Sequence, residues 1–298
     1  MQWKGVMPAM TTCFNQQLQV DHEFMAKHAH WMIDNGCTGI ILLGSLGEAA
    51  TLESEEKLAI LRNIVQTVGN RAPVVAAISS LSTHESIMLA KAANDAGCSG
   101  LMILPPYVYK GDWREMKTYL AAILRATPLS CMLYNNPVSY GTDFLPAHIV
   151  ELASEHANLH AVKESSTDIR RITAIRAIRD TLSIFVGVDD AIVEGIDAGA
   201  VGWVAGLVNA FPAESVALFR LASTGKTQEA FELYRWFLPL LRMDTVPKFI
   251  QLIKYVQQQV GMGSARVRGP RLELAGNELE DTQATLQHAL NTRPSIHA

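Results

Sequence analysis

The feature that most constrains this chain is a repeat of arrangement, with apolar strand-like runs and helix-like segments alternating eight times before residue 225 at a spacing of roughly 25 to 30 residues. The strand-like runs cover 5–14, 38–44, 73–78, 100–104, 129–134, a sixth run that starts at Leu159 and carries Lys163, 182–188 and 201–208. The second, TGIILLG, is apolar without alternation, as a strand covered on both faces must be. Between the runs lie helix openings at Asp21, Glu53, Thr83, Asp112, Leu145 and Asp168, the first closed by Asn35-Gly36. Ile169, Ile172, Ile175 and Ile178 recur at helical spacing and read as a core-facing stripe. Eight successive βα units of this length predict a closed (β/α)8 barrel, a TIM barrel, over residues 1–224.

From 225 to 298 the pattern changes to helices only, expected over 227–241, 246–260 and near 281–290, the last after a loop holding Gly269-Pro270. No linker separates them from the barrel, so they read as a C-terminal helical extension packed on it. Tyr234, Trp236, Phe237 and Met243 read as packing, and 292–298 as loosely held. With 49% apolar and 18% charged residues the chain suits a densely packed soluble protein, and a net charge of −4 gives no field for nucleic acid or an acidic membrane surface. Cys13, Cys37, Cys98 and Cys131 are far apart in apolar surroundings and read as free thiols, not as a disulfide or zinc site. The N-terminus has no signal-like apolar core, and no run nears the ~20 apolar residues of a membrane span, so a cytoplasmic protein is expected.

A barrel carries its chemistry at the C-terminal ends of its strands. That rule collects Ser45 and Glu48 after the second strand, Tyr107 after the fourth, Tyr134 after the fifth, Lys163 on the sixth and Asp189 after the seventh. In LHAVKESS a lysine closes an apolar strand, where low dielectric favours the neutral, nucleophilic amine; the competing reading is a strand that ends in solvent. A phenol beside such an amine can shuttle the protons of imine formation, and Pro106 and Pro137 would stiffen the loops that hold the tyrosines. Glu48 reads better as a buried brace of its loop than as a base. The nine histidines show no ligand spacing: His28 and His30 face apart on a helix, and His160 has the strand parity opposite to Lys163, which should turn it toward the helices. No metal and no cofactor is expected.

The segments Gly44-Ser45-Leu46-Gly47-Glu48, Tyr134-Asn135-Asn136-Pro137 and Lys163-Glu164-Ser165-Ser166 together resemble the motifs of the dihydrodipicolinate synthase and N-acetylneuraminate lyase family of Schiff-base aldolases, in the same order and on the same strands. The resemblance covers essentially the whole chain. It implies that Lys163 attacks the carbonyl of a 2-oxo acid, that Tyr134 relays protons, and that Ser45 continues the relay toward Tyr107, which in this family often crosses a dimer interface. Substrate contacts are expected from Ser45, Leu46 and Gly47, from Val204 in GWVAG and from Ser139, in a homo-oligomer such as a tetramer or dimer of dimers. Two departures stand out. Leu46 replaces a hydroxyl residue, which removes one side-chain hydrogen bond to the substrate carboxylate. Ser139 stands where dihydrodipicolinate synthases carry the arginine that holds the second substrate's carboxylate, and a hydroxyl does not replace a bidentate guanidinium. Gly44-Ser45-Leu46-Gly47-Glu48, Tyr134-Asn135-Asn136-Pro137, VGVDD and GWVAG look most similar to the branch that deaminates Δ1-pyrroline-4-hydroxy-2-carboxylate, whose single carboxylate agrees with Ser139. The alternatives kept open are 4-hydroxy-tetrahydrodipicolinate synthesis, cleavage or dehydration of a sugar-derived 2-oxo acid, a metal-dependent barrel aldolase, and a ligand sensor without turnover.

Overall fold

In the computed structural model, which describes residues 1–295, eight parallel strands form one sheet: β1 (Gly5–Pro8), β2 (Ile40–Leu42), β3 (Val74–Ile78), β4 (Gly100–Ile103), β5 (Ser130–Asn135), β6 (Leu159–Glu164), β7 (Ser183–Val186) and β8 (Gly202–Ala205). The strand order is β1-β8-β7-β6-β5-β4-β3-β2. The ring closes where Val6 O accepts from Thr38 N at 2.8 Å and Ile41 O accepts from Met10 N at 2.9 Å. This is the (β/α)8 barrel that the eightfold alternation predicts.

Alternation along each strand divides the side chains into two populations. Those pointing inward, among them Met7, Ile41, Met102, Met132, Phe185 and Val204, fill the barrel as a packed column. Trp3 closes the column at the N-terminal end, edge-on to Phe185 at 6.2 Å between centroids and donating Nε1–H to Ser130 Oγ at 2.7 Å. Those pointing outward meet the helices in a second, larger core. The interior is therefore solid below the C-terminal mouth, which leaves that mouth as the place for a site.

The helices Thr227–Leu241, Phe249–Gln259 and Asn277–Asn291 contribute Phe237, Leu240, Val256 and Leu286 to this same outer core. Phe237 lies edge-on to Phe211 of the barrel, 5.9 Å between centroids, and Tyr234, Trp236 and Met243 are packing residues too. No helix among the described residues is long and apolar enough to cross a membrane. All four cysteines are free and buried, and burial pushes the thiols of Cys37, Cys98 and Cys131 up to about 12.

Several expectations need correction. The first strand stops at Pro8, and the chain to Phe14 continues with only isolated bridges, Ala9 to Ile41 and Phe14 to Val20. Ile178 is 58% exposed, because it ends the helix Arg170–Ile178 beyond the reach of the core that buries Ile172 and Ile175. The helix expected from 246 begins at Phe249, since Pro247 holds Val246 extended at φ −118° and ψ 160°. The last helix begins at Asn277, earlier than the expected start near 281. His160 does not turn toward the helices: a register shift between Cys131 and Met132 breaks the parity on which that reading rests. His160 is exposed instead, with Nδ1 2.8 Å from Ser130 Oγ. Of the tail expected to be loose, Arg293 is held by an ion pair with the buried Glu214, while 296–298 lie outside the described residues.

Candidate active site

The register between β5 and β6 sets Tyr134 beside Lys163 and Asn135 beside Glu164. Strand alternation then sends the first pair into the barrel mouth and the second pair behind it. Asn135 Nδ2 donates to Glu164 Oε2 at 2.9 Å, Asn135 Oδ1 accepts from Phe144 N at 2.9 Å, and Glu164 Oε1 accepts from Ser166 N at 2.7 Å. Burial pushes the Glu164 carboxyl up from its ordinary value, and these hydrogen bonds oppose the shift. Two adjacent residues on each strand thus divide the work, with one facing the site and its neighbour locking the strand end that carries it.

Lys163 is 7% exposed, its Nζ lies 4.2 Å from the centroid of the Tyr134 ring, and it makes no hydrogen bond or ion pair among the described residues. Gly187 makes room for it. A Cβ there would stand 2.5 Å from Lys163 Cε and 1.9 Å from Ser165 Oγ. Ser165 Oγ instead donates to the Gly187 carbonyl at 3.0 Å, tying the end of β6 to the end of β7.

The hydroxyl of Ser45 meets the phenol of Tyr140. Tyr140 stands between the other two tyrosines, its ring 5.7 Å from that of Tyr134 and 5.7 Å from that of Tyr107. Burial, followed by the neighbouring Tyr134 and Tyr107 phenols, raises the Tyr140 pKa well above the usual phenol value. The residue is delivered by a one-turn helix, Pro137–Tyr140, in which Asn136 Oδ1 accepts from Ser139 N at 3.0 Å while Asn136 Nδ2 donates to Tyr134 OH at 2.9 Å. An Asn cap, a proline at the first helical position and Gly141 at φ +71° were legible as a helix turn. Read that way, they bring Tyr140 back toward Tyr134.

A cavity of about 510 Å³ opens over these groups and is lined by Ser45, Leu46, Tyr107, Tyr134, Ser139, Lys163 and Val204 among others. Gly47 does not line it; its carbonyl accepts from the Thr12 hydroxyl at 2.7 Å and its Cα faces Met10 O, so it shapes the loop from behind. The Leu46 side chain packs with Ile250, Ile253 and Val267 and anchors the loop to the C-terminal helices. Asp189 is fully buried, accepting from Trp203 Nε1 at 3.0 Å and Leu207 N at 2.8 Å, and burial pushes its carboxyl up to about 6. Glu48 is a brace: Oε1 accepts from Lys254 Nζ at 2.7 Å and Oε2 from Arg268 N at 3.0 Å. The sequence reading missed Tyr140, Asp244 and Arg271, which all line the cavity. The last two come from the C-terminal part, remote in sequence from every strand end, and no motif marks them. No group of His, Cys, Asp and Glu among the described residues could hold a metal ion.

A parallel eight-stranded barrel with an unpaired lysine among phenols at the top of its sixth strand has the layout of a class I aldolase. The chain belongs to the dihydrodipicolinate synthetase family, which it matches over residues 2–289. It is 31% identical over 289 residues to the 4-hydroxy-tetrahydrodipicolinate synthase of Moorella thermoacetica, covering 96% of this chain and 98% of that protein. Among solved structures, the 4-hydroxy-tetrahydrodipicolinate synthase of Methylacidiphilum fumariolicum superposes with a TM-score of 0.93 at 28% identity over 97% of both chains. Dihydrodipicolinate synthase DapA-2 of Bacillus anthracis does so with a TM-score of 0.92 at 30% identity over 99% of this chain and 100% of that one. A prophage protein of the same family from E. coli, solved in complex with pyruvate, gives 0.91 at 25% identity over 97% of this chain and 99% of that one.

Proposed function

We propose that this lyase acts on a 2-oxo acid, or on a cyclic imine of one, through an imine on Lys163. One observation carries the reading: Lys163 is a buried lysine that faces the mouth cavity and forms no ion pair or hydrogen bond among the described residues. Its free electron pair adds to the carbonyl carbon, and loss of water from the carbinolamine gives a protonated imine, an electron sink that acidifies the C3 proton. Tyr134, beside Lys163, moves protons to and from the carbinolamine oxygen. Tyr140 and Ser45 extend that route, with Tyr107 beyond them. Backbone N–H groups of the Ser45-Leu46 turn hold the substrate's 1-carboxylate. Pyruvate bound to the E. coli family member supports a 2-oxo acid as ligand.

Two finer readings compete. Ser139 in place of arginine, and the resemblance of the loops, support deamination of Δ1-pyrroline-4-hydroxy-2-carboxylate, in which imine exchange with Lys163 opens the ring, the enamine expels the 4-hydroxyl, and hydrolysis releases ammonia and a 2-oxo semialdehyde. The names of the relatives support 4-hydroxy-tetrahydrodipicolinate synthesis instead. Borohydride reduction in the presence of pyruvate is expected to add a covalent mass to the peptide carrying Lys163; an adduct elsewhere, or none, overturns the imine. A substrate panel then separates the finer readings, with ammonia release marking the deaminase and consumption of pyruvate with aspartate semialdehyde marking the synthase. We further propose a cytoplasmic homo-oligomer, tetramer or dimer of dimers, supported by the apolar surface of Leu81, Val108 and Tyr109 next to Tyr107, which are 65%, 92% and 54% exposed.

A further inference from the structure

Arg271 follows Pro270 on the segment between the helices Phe249–Gln259 and Asn277–Asn291, and it lines the Lys163 cavity. The acid nearest to it is Glu48, with Nη1 3.9 Å from Oε2, too long for a hydrogen bond. Both Glu48 oxygens already have donors, Lys254 Nζ at 2.7 Å and Arg268 N at 3.0 Å. Lys254 is the close cation of Glu48 and Arg271 only a distant one, and the Arg268 guanidinium is taken up by Glu56 at 2.6 Å. Asp244 lines the cavity too but forms no ion pair with Arg271, and burial beside Asp189 pushes its carboxyl well above the usual range, toward the neutral form. The wall therefore presents a permanently charged fork of donors, with no acid within hydrogen-bond distance among the described residues, to an open cavity.

We propose that Arg271 binds a carboxylate of the substrate remote from the imine carbon, so that the species held on Lys163 carries two carboxylates, one at the Ser45-Leu46 turn and one at the guanidinium. The inference rests on the Lys163 reading for the first carboxylate and extends it to a substrate class: a dicarboxylic 2-oxo acid, or an adduct of that charge. A cyclic imine with one carboxylate leaves the guanidinium without an anion, so Arg271 favours the second of the two finer readings. It also explains how a site with Ser139 in place of an arginine can recognise a second acid group.

The test is calorimetric titration of the intact protein with 2-oxoglutarate and with 2-oxopentanoate, which has the same chain length and one carboxylate fewer. The unaltered protein is expected to bind 2-oxoglutarate at least tenfold more tightly. In Arg271→Gln the ratio falls to about one, whereas Arg271→Lys, which keeps the charge but not the fork, retains part of it. Equal binding by the unaltered protein, or a preference that survives Arg271→Gln, overturns the inference. If Arg271 serves only to support Glu48, the variants shift the melting temperature and leave the ratio intact. Borohydride trapping with pyruvate on the unaltered protein is read separately: an absent Lys163 adduct together with an Arg271-dependent ratio sinks the imine reading and keeps Arg271 as the carboxylate site.

Discussion

Two lysines are buried in this protein, and they have opposite surroundings. Lys254, 1% exposed, is held by the Glu48 carboxylate at 2.7 Å and the Thr12 carbonyl at 2.9 Å, with the Phe14 ring 4.4 Å from its Nζ. Lys163 lies against the face of the Tyr134 ring and lines an open cavity. A carboxylate at hydrogen-bond distance occupies an amine, and of the two lysines only Lys163 lines a cavity. Burial lowers the Lys254 pKa and Glu48 counteracts the shift. Burial alone therefore does not make a nucleophile. What distinguishes the two is that Lys254 has a carboxylate at hydrogen-bond distance and Lys163 has none among the described residues, and that Lys163 lines the mouth cavity.

Four experiments break or sharpen this contrast. Lys163→Met is expected to reduce turnover by a factor on the order of 10⁴ or more while leaving the circular dichroism spectrum intact, since removal of a covalent nucleophile is among the costliest single changes; substantial residual turnover would transfer the chemistry to another group. Lys254→Met leaves the Glu48 charge buried without its cation and is expected to cost about 3 to 5 kcal/mol in denaturant unfolding. The double variant Lys254→Met with Glu48→Gln recovers part of that loss. A loss under 1 kcal/mol for the single change would mean the pair is not the clamp its geometry indicates.

A third buried base extends the comparison. His28 has a carbonyl partner, Asn209 O at 2.8 Å from Nε2, and burial pushes its pKa down from 6.5 to about 4. As pH falls, the unfolded chain takes up this proton near 6.5 and the folded chain only near 4, so stability is present above 6.5 and is lost between the two values. The loss is about 3 kcal/mol. Thermal melts of the protein and of His28→Gln across that window check it; an equal decline in both removes His28 as the cause. The smallest effect is Tyr134→Phe, expected to slow turnover by about 10² with the fold retained, as loss of a general acid-base group does. An unchanged kcat would pass the proton role to Tyr140.

The eight units were legible because strand and helix periods are local, and a strand buried on both faces has no polar positions to confuse the reading. Lys163 and Tyr134 were legible for the same reason, since each ends a strand and their register follows from neighbouring strands in a parallel barrel. His160 shows how narrow that logic is. One register shift between Cys131 and Met132 was enough to break the parity. Tyr140 was within reach of local reasoning, through the cap, proline and glycine around it. Asp244 and Arg271 were not, because no local pattern links the C-terminal helices to the mouth of the barrel.

By itself, then, the sequence determined the barrel, the strand that carries Lys163 and the phenol beside it, all of which rest on interactions within one unit or between adjacent ones. Only the tertiary structure decided which buried lysine is free. Glu48 reaches Lys254 across 206 positions of chain, and no periodicity records such a pairing. The same long-range closure brings Arg271 to the cavity, so part of the charge around that cavity is set by a C-terminal segment that lies outside the repeating pattern.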